Sequence, residues 1–364
     1  MKLPIFQRLS SSSRGDRILS LVVLLLCAIG ILFVYDSSIV IAMRDFSDRF
    51  YYVKEQGKWL GVGLAVFFIF SKIPYKNWYR TAVPLLLATI ALLLLVFIPG
   101  IGVKALGARR WVNIGFSVLQ PSEFAKLALV IYLSAWFSQK EKGRLGPFLL
   151  LLGMVVGLIV LQPDLGTAMI IVSLSVLMYF FSGAPLLHFI ILMPVIAIGI
   201  LVLSLVSPYR YARLTPFLDP GQDPLGSSYQ IRQATLALGS GGLFGVGLGK
   251  SRQKYEYLPE ANTDSIFAII GEETGFVGTG IVASLYFLIL FRGYQVARKV
   301  HDAFGRLLAL GISSWIGLQA LVNIAAIAAL IPLTGIPLPL ISYGGSNLLV
   351  VLAGLGILIN ISKV

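Results

Sequence analysis

The chain has little charge for its length. Only 12% of its 364 residues are Asp, Glu, Lys or Arg, about half the share of roughly a quarter that a soluble domain carries. Hydrophobic residues make up 57%, and this balance excludes a soluble globular domain. Histidine and cysteine are scarcer still. His188 and His301 have no partner at metal-ligand spacing, and Cys27 is the only cysteine. An internal disulfide is therefore excluded, and no Cys/His zinc pattern exists. With two badly placed histidines, a Ser/His/Asp set is not arguable either. The first apolar run is long and lacks a small-residue cleavage site, so it predicts an uncleaved first span and not a cleaved signal peptide.

Long apolar runs are abundant. A membrane-spanning helix needs ~20 mostly apolar residues. About ten candidate spans meet that criterion, with cores at 18–35, 59–73, 81–98, 121–137, 147–161, 165–181, 184–206, 264–290, 307–331 and 340–361. The runs are continuous, not alternating, which rejects a β-barrel. The expected fold class is all-α: a polytopic bundle of about ten transmembrane helices with a long extracytoplasmic loop. Residues 1–16 read as a polar, Ser-rich cytoplasmic tail, 17–364 as one membrane domain, and 207–263 as the long loop.

The formal net charge is +13. No nucleic-acid motif accompanies it, so an anionic lipid is the better partner. Lys and Arg in short loops favour the side holding Lys72, Lys76, Arg80, Arg292, Arg298 and Lys299, which predicts cytoplasmic termini. The long loop then lies outside and carries Arg210, Arg213, Arg232, Lys250, Arg252 and Lys254. Together with Arg109 and Arg110 of GARRWVN, these cations predict that the outer face handles an anion. Arginines beside Trp111 also suit an interfacial anchor.

The loop's middle, SSYQIRQATLALGS, predicts a short interfacial helix with serines at its start and Tyr229, Ile231, Leu236 and Leu238 on its apolar face. GSGGLFGVGLGKS follows. It falls short of a phosphate-binding P-loop, because Phe244 stands where glycine is needed and no strand precedes it. Its amides could cradle an anion, or it could be a re-entrant turn.

Four carboxylates lie in YLPEANTDSIFAIIGEETG: Glu260, Asp264, Glu272 and Glu273. Thr263 is the expected helix cap, with Asp264 in or near the first turn at the outer interface. Glu272 and Glu273 would sit two turns deeper, as structural or cavity groups, since acids are costly in hydrocarbon and need partners there. In PSEFAK, Glu123 and Lys126 share a helix face; they read either as a structural ion pair or as a cavity wall. QPDLGT is accounted for by a tight turn with Asp164 at a helix start. In PLPLISYGGS, Pro and Gly predict irregular backbone against protein or a cavity, where Ser342, Tyr343 and Ser346 offer donors. A carboxylate, cations and a cavity suit an inverting glycosyl transfer, in which a base deprotonates a sugar hydroxyl and cations stabilise a departing lipid pyrophosphate.

Taken together, GARRWVNIG, QPSEFAKLALV, QPDLGTA, YRYARLTPFLDP, DPLGSSYQIRQATLALGSGGLFGVGLGKSRQK, YLPEANTDSIFAIIGEETG and PLPLISYGGSNLL resemble the SEDS family, whose members include RodA, FtsW and SpoVE. The resemblance runs from the first span to the last, and GVGLGKSRQK with LPEANTD lies nearer the division branch. It implies a peptidoglycan glycosyltransferase in the plasma membrane that polymerises lipid II on the outer face and releases undecaprenyl pyrophosphate. It implies a class B penicillin-binding protein as partner, and no nucleic acid. By this resemblance Asp264 is the catalytic base, and Glu123 with Lys126 is an intramembrane ion pair. Arg109, Arg110, Arg210, Arg213, Gln230, Lys254, Glu260 and Ser342 fall in its substrate-binding motifs and loops. Asn262 and Ser265 depart from the family's usual His and Phe at those positions. The resemblance leaves open a divalent cation, Mg or Mn. Two other classes of function stay open at this level: a flippase for a lipid-linked precursor, and a non-catalytic scaffold for a synthase.

Overall fold

The computed structural model describes residues 15–105, 108–113, 115, 117–139, 143–206 and 227–364. The chain runs α1 (Arg17–Phe46), α2 (Tyr51–Lys72), α3 (Lys76–Leu95), β1 (Gly102–Ala105), β2 (Ala108–Asn113), β3 (Val118–Leu119), α4 (Pro121–Phe137), α5 (Leu145–Leu161), α6 (Leu165–Phe181) and α7 (Leu186–Val206). It continues through α8 (Ser227–Gly241), α9 (Ile266–Lys299), α10 (Ala303–Ile327) and α11 (Gly345–Ile361). Each of the ten expected cores overlaps one helix, α1 to α7 or α9 to α11, with some ends overrunning by a few residues. Among the described residues α1, α3, α9 and α10 are long and apolar enough to cross a membrane, and α5, α6, α7 and α11 contribute shorter apolar stretches.

The helix ends follow local chemistry. Asp16 caps α1 by accepting from the Leu19 amide at 3.0 Å. Asp164 caps α6 through Thr167 N at 3.1 Å, and Asp302 caps α10 through Gly305 N at 2.7 Å. Each satisfies an amide that a helix start leaves without a partner. Pro121 opens α4, where its missing N–H costs nothing.

The bundle is built around α10 and α11. Trp315, Ile312 and Leu308 of α10 are fully buried, as are Val351, Leu355 and Leu358 of α11. α11 packs against α2, and α10 against α9, α4 and α6. The peripheral helices keep large apolar side chains exposed, including Leu87, Leu150 and Ile190. That is the surface a lipid-facing helix presents.

Three features depart from the sequence expectation. A three-stranded antiparallel sheet, β1-β2-β3, interrupts the helical order between α3 and α4. Its register pairs Gly102 with Val112 and Asn113 with Val118, so Arg109 and Arg110 stand on a strand. The last helix begins at Gly345, not at 340, because 332–338 is irregular and 339–343 forms turns and bends. The short helix of the long loop forms as α8, but it buries Ala234 and Ala237 and leaves Leu236 exposed. Close approach to a neighbouring helix selects small residues there over leucine.

Candidate active site

α9 is the element that organises the site. Its start is approached by a run of turns over 251–265. Three successive carbonyls of that run are held from outside it. Tyr343 N donates to Asn262 O at 2.9 Å, Ser342 Oγ to Thr263 O at 2.6 Å, and Asn323 Nδ2 to Asp264 O at 2.8 Å. The backbone that carries Asp264 is thus pinned by α10 and by the 337–343 segment. Ser342 Oγ also accepts from Leu338 N at 2.8 Å, and Asn323 Nδ2 reaches Ile336 O at 2.8 Å.

The helix starts at Ile266, so Asp264 precedes it by two residues. Thr263 is not the cap: its hydroxyl donates to Glu260 Oε2 at 2.6 Å. Ser265 takes the cap position, and its hydroxyl accepts from Gln230 Nε2 of α8 at 3.0 Å. A cavity of about 50 Å³ lies here, lined by Gln230, Glu260, Asp264, Asn323, Leu333 and Thr334. It admits one or two waters and no sugar. Asp264 is half-buried and Glu260 exposed. Glu260 has a φ of 52°, a left-handed conformation that costs a residue with a Cβ about 1–2 kcal/mol and marks functional segments more often than others.

Deeper in α9 the helix breaks. Gly275 has φ 67° and ψ −164°. The groups the break exposes are taken up by the glycine-rich turn after α8. Val246 N and Gly247 N donate to Glu272 O and Glu273 O at 2.9 and 3.1 Å. Phe276 N and Val277 N donate to Gly242 O and Leu243 O at 2.8 and 3.1 Å. The turn also cradles an anion, as its composition suggests, and that anion is the chain's own. Gly249 N and Ser251 N each reach the Glu273 carboxylate at 2.9 Å. Arg252 N reaches Glu272 at 2.9 Å, and Ser251 Oγ donates to it as well. Both glutamates are buried. Lys254 Nζ closes the cluster, 2.7 Å from Asp36 of α1 and 3.2 Å from Glu273.

A second buried cluster joins α4, α10 and α11. Lys126 Nζ sits 2.8 Å from both Glu123 oxygens and 2.8 Å from Gln319 Oε1. Asn347 Nδ2 donates to Glu123 at 2.8 Å, and Trp315 Nε1 to Gln319 at 3.0 Å. Gln319 Nε2 then reaches Pro337 O at 3.0 Å. Gln319 and Asn323 are one turn apart on α10, so one helix face joins the ion pair to the carbonyl of Asp264.

The remaining expected site residues separate. Arg109 is exposed on β2. Arg110 donates Nε to Gln162 O at 3.2 Å and also bonds Pro163 O, closing the turn between α5 and α6. Lys254 is withdrawn into the α1–α9 cluster, away from the Asp264 cavity. Arg210 and Arg213 lie outside the described residues. The sequence reading missed Asp36, Gln319, Asn323 and Asn347. A lone acid in FVYDSSIV and two amides four apart in WIGLQALVNIAAI were the signals for three of them.

Comparison with known proteins places this geometry. The FtsW/RodA/SpoVE family model, described as cell cycle proteins, matches residues 16–364. Stage V sporulation protein E of Bacillus subtilis (strain 168) is 42% identical over 355 residues, covering 96% of this chain and 97% of that protein. A probable peptidoglycan glycosyltransferase FtsW of Geobacter sp. (strain M18) is 41% identical, covering 95% of this chain and 96% of that one. Among solved structures, a chain from a study of how a peptidoglycan synthase complex coordinates polymerization and crosslinking matches with a TM-score of 0.80 at 30% identity, covering 96% of this chain and 98% of that one. The Thermus thermophilus rod shape determining protein RodA matches with a TM-score of 0.71 at 29% identity, covering 96% of this chain and 97% of that one. The chain belongs to the FtsW/RodA/SpoVE family of multi-pass membrane proteins.

Proposed function

We propose that this chain is a peptidoglycan glycosyltransferase that polymerises lipid II, with Asp264 as its general base. The family's relatives bear that enzyme's name, and the observation that carries the assignment of Asp264 is the pinning of carbonyls 262 to 264 from two other elements. A base must be held within a fraction of an ångström of its proton for transfer to compete.

In the reaction, Asp264 takes the proton from the 4-hydroxyl of the acceptor GlcNAc. The hydroxyl oxygen bonds to C1 of the donor MurNAc as the C1–O bond to pyrophosphate breaks, inverting that carbon. Undecaprenyl pyrophosphate leaves with the electron pair. Arg109 on its strand, with Arg210 and Arg213, supplies positive charge for the leaving group. Arg110, Gln230, Glu260 and Ser342 hold the surrounding loops, and Lys254 and the Glu123–Lys126 pair act through the backbone they brace. Among the described residues no group of three His, Cys, Asp or Glu could hold a metal. A Mg or Mn ion, if bound, would take ligands from the pyrophosphate oxygens. The reaction takes place on the outer face of the plasma membrane with both termini cytoplasmic. A class B penicillin-binding protein is the proposed partner, which the likeness to a synthase complex supports.

Asp264→Asn tests the base. Purified protein given lipid II should lose glycan-strand formation, read on a gel, by at least two orders of magnitude, with its thermal unfolding unchanged. Full activity in that variant would remove Asp264 from the chemistry.

A further inference from the structure

A second cavity shares no lining residue with the one at Asp264. It measures about 340 Å³ and lies where the start of α1 and the ends of α9 and α11 meet. That is the lower end of the ~300–1,000 Å³ range of small-molecule sites. Three cationic side chains line it, Arg17, Arg292 and Lys299, against one acidic side chain, Asp16.

The carboxylate is already committed. Asp16 Oδ1 caps α1 at Leu19 N, and Oδ2 lies 2.7 Å from the Arg292 guanidinium. Asp16 N donates to Ser362 Oγ at 2.9 Å, tying α1 to the end of α11. Arg292 donates also to Gln295 Oε1 at 3.0 Å. Arg17 and Lys299 form no ion pair among the described residues, so the side chains lining the cavity carry surplus positive charge.

Its wall is also apolar on one side. Ile18 lines the cavity and is 47% exposed. Leu21 and Leu25 follow at three and seven residues on the same face of α1, 66% and 45% exposed. An uncovered apolar stripe therefore begins at the cation-lined cavity and runs along a membrane-spanning helix. A free phosphate would use only the cations, whereas a phospholipid would use both.

We infer that this cavity binds the phosphate headgroup of an anionic phospholipid, with its acyl chains along the Ile18–Leu21–Leu25 face of α1. Only its assignment to the inner leaflet rests on the orientation proposed above. The site would brace the far end of α9, the helix whose start carries the catalytic segment.

The test uses the full chain in phosphatidylcholine nanodiscs titrated with phosphatidylglycerol, with retained lipid counted by native mass spectrometry. Arg17→Gln with Lys299→Gln should shift retention to phosphatidylglycerol fractions on the order of tenfold higher or more. Both side chains are exposed, so the fold should survive, as a thermal unfolding scan checks. Lys76→Gln with Arg80→Gln, two exposed cations elsewhere, should leave the titration nearly unchanged. Equal titrations for wild type and the Arg17/Lys299 variant would overturn the site. Displacement of the lipid by millimolar inorganic phosphate would overturn the lipid assignment in favour of a soluble phosphate. Neither result depends on polymerase activity, so failure here and failure of the Asp264 assignment are distinguishable.

Discussion

Lys254 is a cation whose surroundings decide its role. In the sequence it belongs to a row of basic residues on one loop, which reads as a surface for an anionic ligand. In the fold it is buried between Asp36 and Glu273. Burial alone would lower its pKa, but the bond to Asp36 and the charges of Asp36 and Glu273 outweigh this and raise it above the ordinary lysine value. The sign follows: a raised lysine stabilises fully below the unfolded value of about 10.4 and loses that contribution only as pH climbs through the folded value. The tie is therefore constant across physiological pH. Lys254→Met would leave two carboxylates facing each other in a dry site, at a cost of about 3–5 kcal/mol. Thermal unfolding in detergent at neutral pH should show that loss, and the deficit should shrink as acid protonates one of the pair. The Glu123–Lys126 pair was legible because charge inside an apolar run is conspicuous and a spacing of three residues places both on one helix face. Lys254's role was not, since its partner Asp36 is 218 residues away in sequence and no local pattern links them.

At the scale of elements, the ten apolar helices were legible from their continuous runs, because in a membrane only a helix or a closed barrel satisfies the backbone and a barrel would need alternation. The break in α9 was not. It depends on four backbone hydrogen bonds between the glycine-rich turn and residues 272–277, and such pairing leaves no periodicity in sequence. Composition offered an anion cradle or a re-entrant turn for GSGGLFGVGLGKS, and the structure combines them: the turn inserts against the break and holds Glu272 and Glu273. This makes two glycines unusually demanding. A Cβ on Gly275 would lie 2.4 Å from Gly245 N, and one on Gly245 would lie 2.1 Å from Glu273 O; both residues have positive φ. Gly275→Ala and Gly245→Ala should each destabilise by more than the ~1–2 kcal/mol of a left-handed Cβ, because backbone must also move. Gly239→Ala in α8, with nothing within 4 Å of its Cβ, should instead stabilise by up to ~1 kcal/mol. Melting temperatures of the three variants in one detergent decide the comparison. Similar values for all three would mean that the turn does not seat on the break.

Across the whole molecule, the polar clusters gather toward one end of the bundle and the cation-lined cavity lies at the other. Asp264, the α1–α9 cluster and the Arg44–Glu256 pair at 2.6 Å mark the first end; Asp16, Arg292 and Ser362 mark the second. Which end faces the cytoplasm decides whether Asp264 can meet the disaccharide of an externally displayed lipid. Charge in the short loops predicts that the Asp264 end lies outside. Single cysteines test this directly in the natural chain, because the only native thiol, Cys27, is 3% exposed and should not react. Lys250→Cys places a thiol on an exposed turn at the Asp264 end, and Arg298→Cys places one on the exposed last turn of α9. A membrane-impermeant maleimide applied to intact cells should label the first and spare the second, with both labelled after permeabilisation and wild type labelled in neither case. The reverse pattern would put the carboxylate in the cytoplasm, and an outer-face polymerase could not then be built on it, whatever the geometry around Asp264.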